Sequence, residues 1–149
     1  MIKATVVGAV EIKANLNKIS TAAKQLISHA VFKGVADVEK EAKMSIQRGG
    51  KSGIVYQRYS PKRTHRSSAP GEPPASDTGF LVNNIKRKMD MDKLGGEIRS
   101  RAAYSKYLEY GTSKMMPRPY MFPALEKHRG KIKTRINRAV AAANRRGSK

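Results

Sequence analysis

Residues able to make or break bonds are sparse in this chain, and they do not converge. The three histidines, His29, His65 and His128, stand far apart, and none has a second histidine or a cysteine at metal-ligand spacing. They read as one half-buried helix residue and two surface residues. Cysteine is absent, which excludes disulfides, thiolate zinc sites and cysteine nucleophiles. Asp90 and Asp92 share one face of a strand; two carboxylates beside a turn suit a solubilising edge better than a hard-cation site. The "GKS" at Gly50 to Ser52 has the ending of a phosphate-binding loop, but the first glycine of that motif is out of position and no strand precedes it. With no nucleophile elbow, no His-Glu-x-x-His and no dinucleotide fingerprint, neither an enzyme nor a cofactor or metal is expected.

The remaining chemistry is electrostatic. Thirty-one Lys and Arg against 11 Asp and Glu leave a net charge of +20 on 149 residues. Such a chain repels itself until it meets a polyanion or an acidic partner. The cations concentrate at the C-terminal end, where Lys131, Lys133, Arg135, Arg138, Arg145 and Arg146 are candidates for contact with DNA or an acidic protein. A second set, Tyr56, Arg58, Tyr59, Arg63 and Arg66, interleaves aromatics with cations in a stretch almost free of aliphatic residues, suited to stacking on bases or lying across a backbone.

The elements that must position these groups follow from periodicity. The β-branched run Ala4 to Ile12 predicts a strand, and apolar residues spaced by three and four predict a helix from about Asn15 to Gln47, roughly 50 Å long. Residues 49–76 predict a projecting flexible arm, being rich in Pro and Gly. Asp77 or Thr78 is an N-cap candidate for a short helix, Gly79 to Ile85, with Phe80, Leu81 and Ile85 on its apolar side. Lys86 to Asp92 and Glu97 to Ala102 alternate as two strands of a hairpin turned at Gly95-Gly96. Ala103 to Tyr110 predicts a short helix stopped by Gly111, and a last helix begins with Pro119 or Pro123 at its first position. Residues 128–149 are its basic end and tail. Between these two helices Met115, Met116, Tyr120 and Phe122 are expected to pack in the core.

The resulting fold class is α+β, a single domain over residues 1–149. An N-terminal strand and a hairpin form a small antiparallel sheet against a long N-terminal and a C-terminal helix, with a long extended loop. No apolar run reaches the ~20 residues that span a bilayer, and "MIKATVVGAVEIK" lacks the apolar region of a signal peptide, so a soluble protein made in a cytoplasm is expected.

Two segments carry a resemblance. "SAPGEPPASDTGFLVNNI" (Ser68 to Ile85) and "AAYSKYLEYGTSKMMPRPYMFPALEK" (Ala102 to Lys127) resemble the paired signatures of the tail-component family of long-tailed bacteriophages, which includes neck and tail-completion proteins of the head-tail junction. The motif positions are Tyr104, Tyr107, Glu109, Gly111, Thr112, Pro117, Arg118, Pro119, Tyr120 and Pro123 in the second segment. Pro70, Pro73, Pro74 and Asp77 lie in the first. Tyr120 stands where the family usually carries a phenylalanine.

The resemblance implies a non-catalytic virion protein, assembled in the host cytoplasm into a homo-oligomeric ring, six-fold to suit a tail. Its neighbours would be the head-tail connector and the tail terminator or tail tube, with double-stranded DNA passing through and no membrane involved. The prolines would stiffen the loop that presents Arg118 to a carboxylate or to carbonyls. The alternative, from charge alone, is a nucleic-acid-binding module of nucleoid-like or ribosome-associated type.

Overall fold

The computed structural model describes residues 2–6, 21–48, 50–90 and 94–147, and side chains from Thr21 to Arg145 within them. Its elements are β1 (Ile2–Val6), α1 (Thr21–Arg48), β2 (Val55–Tyr59), β3 (Lys62–Arg66), α2 (Phe80–Asn83), β4 (Ile85–Asp90), β5 (Gly95–Ser100), α3 (Ser105–Tyr110) and α4 (Met121–Gly147). The α+β class stands. The remainder of the expected first strand after Val6, and the helix start at Asn15, fall outside the described residues.

Helix α1 forms because its apolar residues recur on one stripe. Ile27, Ala30, Val31, Val35, Val38, Ala42 and Ile46 are all buried. Two surfaces cover that stripe. One is α4, through Ala124, Ile132 and Ile136, and the other is an antiparallel sheet of order β1-β5-β4. In the central strand β5, Gly96, Ile98 and Ser100 face inward, while Gly95, Glu97 and Arg99 are only half-covered. Ile98 lies opposite Ala4 on one side and Arg87 on the other.

The hairpin β4-β5 is the expected one, but its turn is displaced. Gly95 and Gly96 are the first residues of β5, not the turn, and Leu94 before them takes φ 47°. Gly96 answers a packing need: a Cβ there would sit 2.7 Å from Val35 Cγ2 and 2.9 Å from Met89 Sδ, so only a bare backbone lets α1 lie this close to the sheet. Met91 and Asp92 are outside the described residues.

The stretch expected as an extended arm contains a second, two-stranded sheet, β2-β3, with Val55 opposite Arg66 and Tyr59 opposite Lys62. Backbone bonds continue the pair past the strand ends, from Gly53 N to Ser67 O (3.0 Å) and from Ser67 N to Ile54 O (2.9 Å). Nearly every residue of it is exposed, so no apolar alternation betrays it in the sequence.

Helix α2 is shorter than expected and is not capped by an acid. Gly79, at φ 76°, occupies the N-cap position, and Thr78 Oγ1 accepts from Phe80 N at 3.3 Å. Leu81 and Ile85 are buried as expected, whereas Phe80 is 53% exposed. Helix α4 starts at Met121, which puts Pro123 third in it and Pro119 before it.

Candidate functional site

The elbow between α3 and α4 is built around Glu109, which is 5% exposed. The first amides of a helix have no partner within it. Here the Glu109 carboxylate accepts from Tyr120 N (3.0 Å), Met121 N (3.1 Å) and Phe122 N (2.7 Å), and the next residue, Pro123, has no N–H to satisfy. One buried carboxylate therefore caps α4 completely and meets the positive end of its dipole. Its charge costs little to bury because three donors surround it.

The chain between these two helices is braced throughout. Gly111 N donates to Tyr107 O (2.9 Å), Thr112 N to Met115 O (2.8 Å) and Arg118 N to Leu108 O (2.6 Å). Gly111 takes φ 75°, and a Cβ on it would meet Met115 O at 2.7 Å, so the position demands glycine. Tyr120 is buried to 1%, and burial pushes its phenol up to about 12. The rest of the apolar set departs from the core expectation: Met115 is half-buried, while Met116 (65%) and Phe122 (62%) stand in solvent. Capping consumes the backbone around Phe122 and leaves its ring on the outer face of α4.

The first recognised segment is braced in the same manner. Glu72 accepts from Ser52 N (3.0 Å), Ser52 Oγ (2.5 Å) and Ala69 N (2.8 Å), and these bonds, led by the Ser52 hydroxyl, hold its carboxyl down to about 2. Lys51 Nζ donates to Pro73 O (2.7 Å) and Ser45 O (3.2 Å), with its pKa lowered by burial. Asp77, expected as a helix cap, instead binds the guanidiniums of both Arg58 and Arg63, with His65 Nδ1 3.8 Å away. Gly71 N then donates to Pro117 O at 2.9 Å, joining the two segments directly.

Between the β2-β3 hairpin, α2 and α3 this bracing leaves a cleft of about 230 Å³, lined in part by Tyr56, Asp77, Phe80, Tyr104, Leu108 and Arg118. Arg118 Nε is buried there with no hydrogen-bond partner, and the side chain makes no forked contact to a carboxylate or carbonyl among the described residues. Phe80 and Tyr104 lie with ring centroids 6.2 Å apart, and Tyr107 and Tyr110 continue outward along α3, exposed. In the arm, Tyr59 and Arg66 are free-standing, Tyr56 meets the His65 ring edge-on at 5.3 Å, Pro70 is exposed, Pro73 half-buried and Pro74 buried. Thr112 and Pro117 are exposed, and Pro119 is half-buried.

The histidines are redistributed relative to expectation. His29 is exposed; His65 and His128 are mostly covered, because Asp77 and Glu41 draw them in, the latter at 3.6 Å. Among the described residues no group of His, Asp and Glu is placed to hold a metal ion. Nor is any described helix long and apolar enough to cross a membrane.

The basic end of α4 is partly neutralised. Arg135 pairs with Asp37 of α1 at 2.9 Å, so it braces the two helices and is not a free contact. Lys131, Lys133 and Arg138 are exposed, Arg145 Nε reaches only Ala141 O of its own helix, and the Arg146 side chain is outside the described residues. The acids explain what is left over. Asp37, Glu39, Glu41, Glu72, Asp77, Asp90, Glu97, Glu109 and Glu126 all have partners within the chain, and only Glu11 and Asp92 lie outside the described residues.

Sequence reasoning placed Glu109, Asp77 and Arg118 among the candidates but not their roles. It missed Glu72 altogether, and no local spacing signals a carboxylate that reaches an amide 20 residues away. A family model described as "Bacteriophage HK97-gp10, putative tail-component" matches residues 11–111, a span that holds the hairpin arm, the cleft's α2 and α3, and Glu109. No curated protein and no solved structure gave a match.

Proposed function

Because the chain belongs to the HK97-gp10-like family of bacteriophage tail components, we propose that it is a structural, non-catalytic protomer of a closed ring at the head-tail junction, completing the tail and letting DNA pass. The observation that carries this reading is the exposed set of aromatic residues, with one methionine, around a rigid elbow. Phe80, Tyr104, Tyr107, Tyr110, Met116 and Phe122 stand in solvent on segments whose backbone is held by Glu109, Gly111 and the Gly71–Pro117 bond. Large apolar side chains on pre-organised backbone are what a stable interface needs, since little entropy is lost when a partner covers them. A six-fold ring places such a surface against its neighbour around the axis, with connector and terminator or tube proteins above and below.

Mass measurement in solution and electron cryomicroscopy of virions test the proposal. The wild-type chain is expected as an oligomer and as density in the neck, and Tyr107→Asp with Tyr110→Asp is expected to give monomers. A stable wild-type monomer, absent from purified virions and tails, overturns it.

One observation favours a nucleic-acid-binding role as the second reading. With every described carboxylate already engaged, Lys131, Lys133, Arg138 and Arg145 have no acid partner among the described residues, and a duplex would supply the charge. It predicts duplex affinity that falls steeply with salt and weakens when these four are neutralised. Background affinity in the same assay rejects it.

A further inference from the structure

Arg118 lines the cleft between the β2-β3 hairpin, α2 and α3. Its guanidinium is half-covered, its Nε is sealed from solvent without an acceptor, and the Arg118 backbone N is already bound to Leu108 O. Nε itself is out of a ligand's reach; a foreign acceptor would meet the terminal guanidinium nitrogens, which have no acceptor among the described residues. The acid in the cleft lining, Asp77, is committed to Arg58 and Arg63, so three guanidiniums at or beside the cleft meet one carboxylate and an excess of two positive charges remains. The remaining lining is mixed: Phe80, Leu81, Tyr104 and Leu108 stand alongside His65 and several Ser and Thr residues.

We propose that this cleft binds an acidic side chain of a different protein, an Asp or Glu flanked by apolar residues in an extended segment, with the carboxylate forked on Arg118 and the flanking side chains on Phe80 and Tyr104. Three observations choose this occupant. The nine described acids each already hold a group of their own chain, so a foreign acid is the readier occupant than one from a second copy. Charge complementarity calls for an anion, and planar guanidinium matches a planar carboxylate through two parallel bonds. A cavity of about 230 Å³ is the size of one or two side chains rather than of a hydrated phosphodiester backbone. The inference rests on the assembly reading for its biological partner and names that partner's chemistry: an acidic neighbour.

The test is a titration of the full chain, followed at the Arg118 Nε–H resonance by NMR. The ligand is an acetylated, amidated peptide carrying one Asp between two Leu, compared with the same peptide carrying Asn. The Asp peptide is expected to shift that resonance and to bind at least ~10-fold more tightly than the Asn peptide, the difference typical of a charged over a neutral acceptor. Arg118→Met is expected to abolish the preference while leaving the thermal unfolding transition in place, and Arg118→Lys to recover it in part. Equal binding of the two peptides, no shift at millimolar Asp peptide, or an earlier shift with a thymidine oligonucleotide overturns the proposal. So does a concentration-dependent shift of the Arg118 resonance in the protein alone, which would make the occupant a second copy. The titration needs no virion, so absence of the chain from virions would remove the assembly reading without touching this result.

Discussion

At the residue scale the decisive groups are carboxylates that hold backbone rather than substrates. Glu109 takes three amide donors, and Glu109→Gln replaces one acceptor oxygen by an NH₂ that confronts an N–H. The expected loss is about 1–3 kcal/mol of stability, read from urea unfolding, with Glu109→Ala at the upper end because the amides of Tyr120 and Met121 are then left unpaired. Glu72 has a pH signature. Its folded pKa of about 2 lies below the ordinary 4.5, so its contribution is whole above 4.5 and is lost as pH falls through 2. Wild type is expected to lose stability over that interval more steeply than Glu72→Gln, in a denaturation series taken from neutral pH to pH 2. Both glutamates were visible as letters; their roles required knowing which amides came near.

At the element scale, close approach and anchoring replace propensity. Gly96→Ala drives a methyl into Val35 and Met89, and the expected cost is about 1–3 kcal/mol, measurable as a lower midpoint with unchanged slope in denaturant. The β2-β3 hairpin has no core of its own, so its order depends on the ends and on Asp77. Asp77→Asn is expected to speed hydrogen exchange at the Tyr56 to His65 amides by roughly 3- to 10-fold, a modest factor because the ion pairs are partly in solvent, with α1 and α4 core amides unchanged. The hairpin escaped sequence reading for the same reason it needs Asp77. Its residues are polar on both faces, and a strand without a buried face leaves no alternation to read.

At the scale of the whole molecule, the distribution of charge separates two kinds of contact. The described acids are all engaged internally, so in the proposed ring contacts between like copies would fall to the exposed aromatics, and the leftover cations would be available to a foreign anion. Self-association is therefore expected to persist or strengthen as salt rises from about 50 to about 200 mM, whereas capture of an acidic partner or duplex weakens, in paired light-scattering and binding series. The sequence by itself determined the α+β class, the two long helices, the β4-β5 hairpin, the cationic surplus and the family, because these rest on periodicity, composition and local motifs. It also marked Glu109, Gly111, Asp77 and Arg118 as residues of interest. Tertiary structure alone decided that Arg135 braces α1 through Asp37, that Phe122 and Met116 face solvent, that Glu72 holds Ser52, and that Arg118 lines one cleft with Phe80 and Tyr104, its Nε without a partner among the described residues. Each of these is a partnership across 13 or more residues of chain or the absence of one, and no local pattern encodes which distant group will arrive.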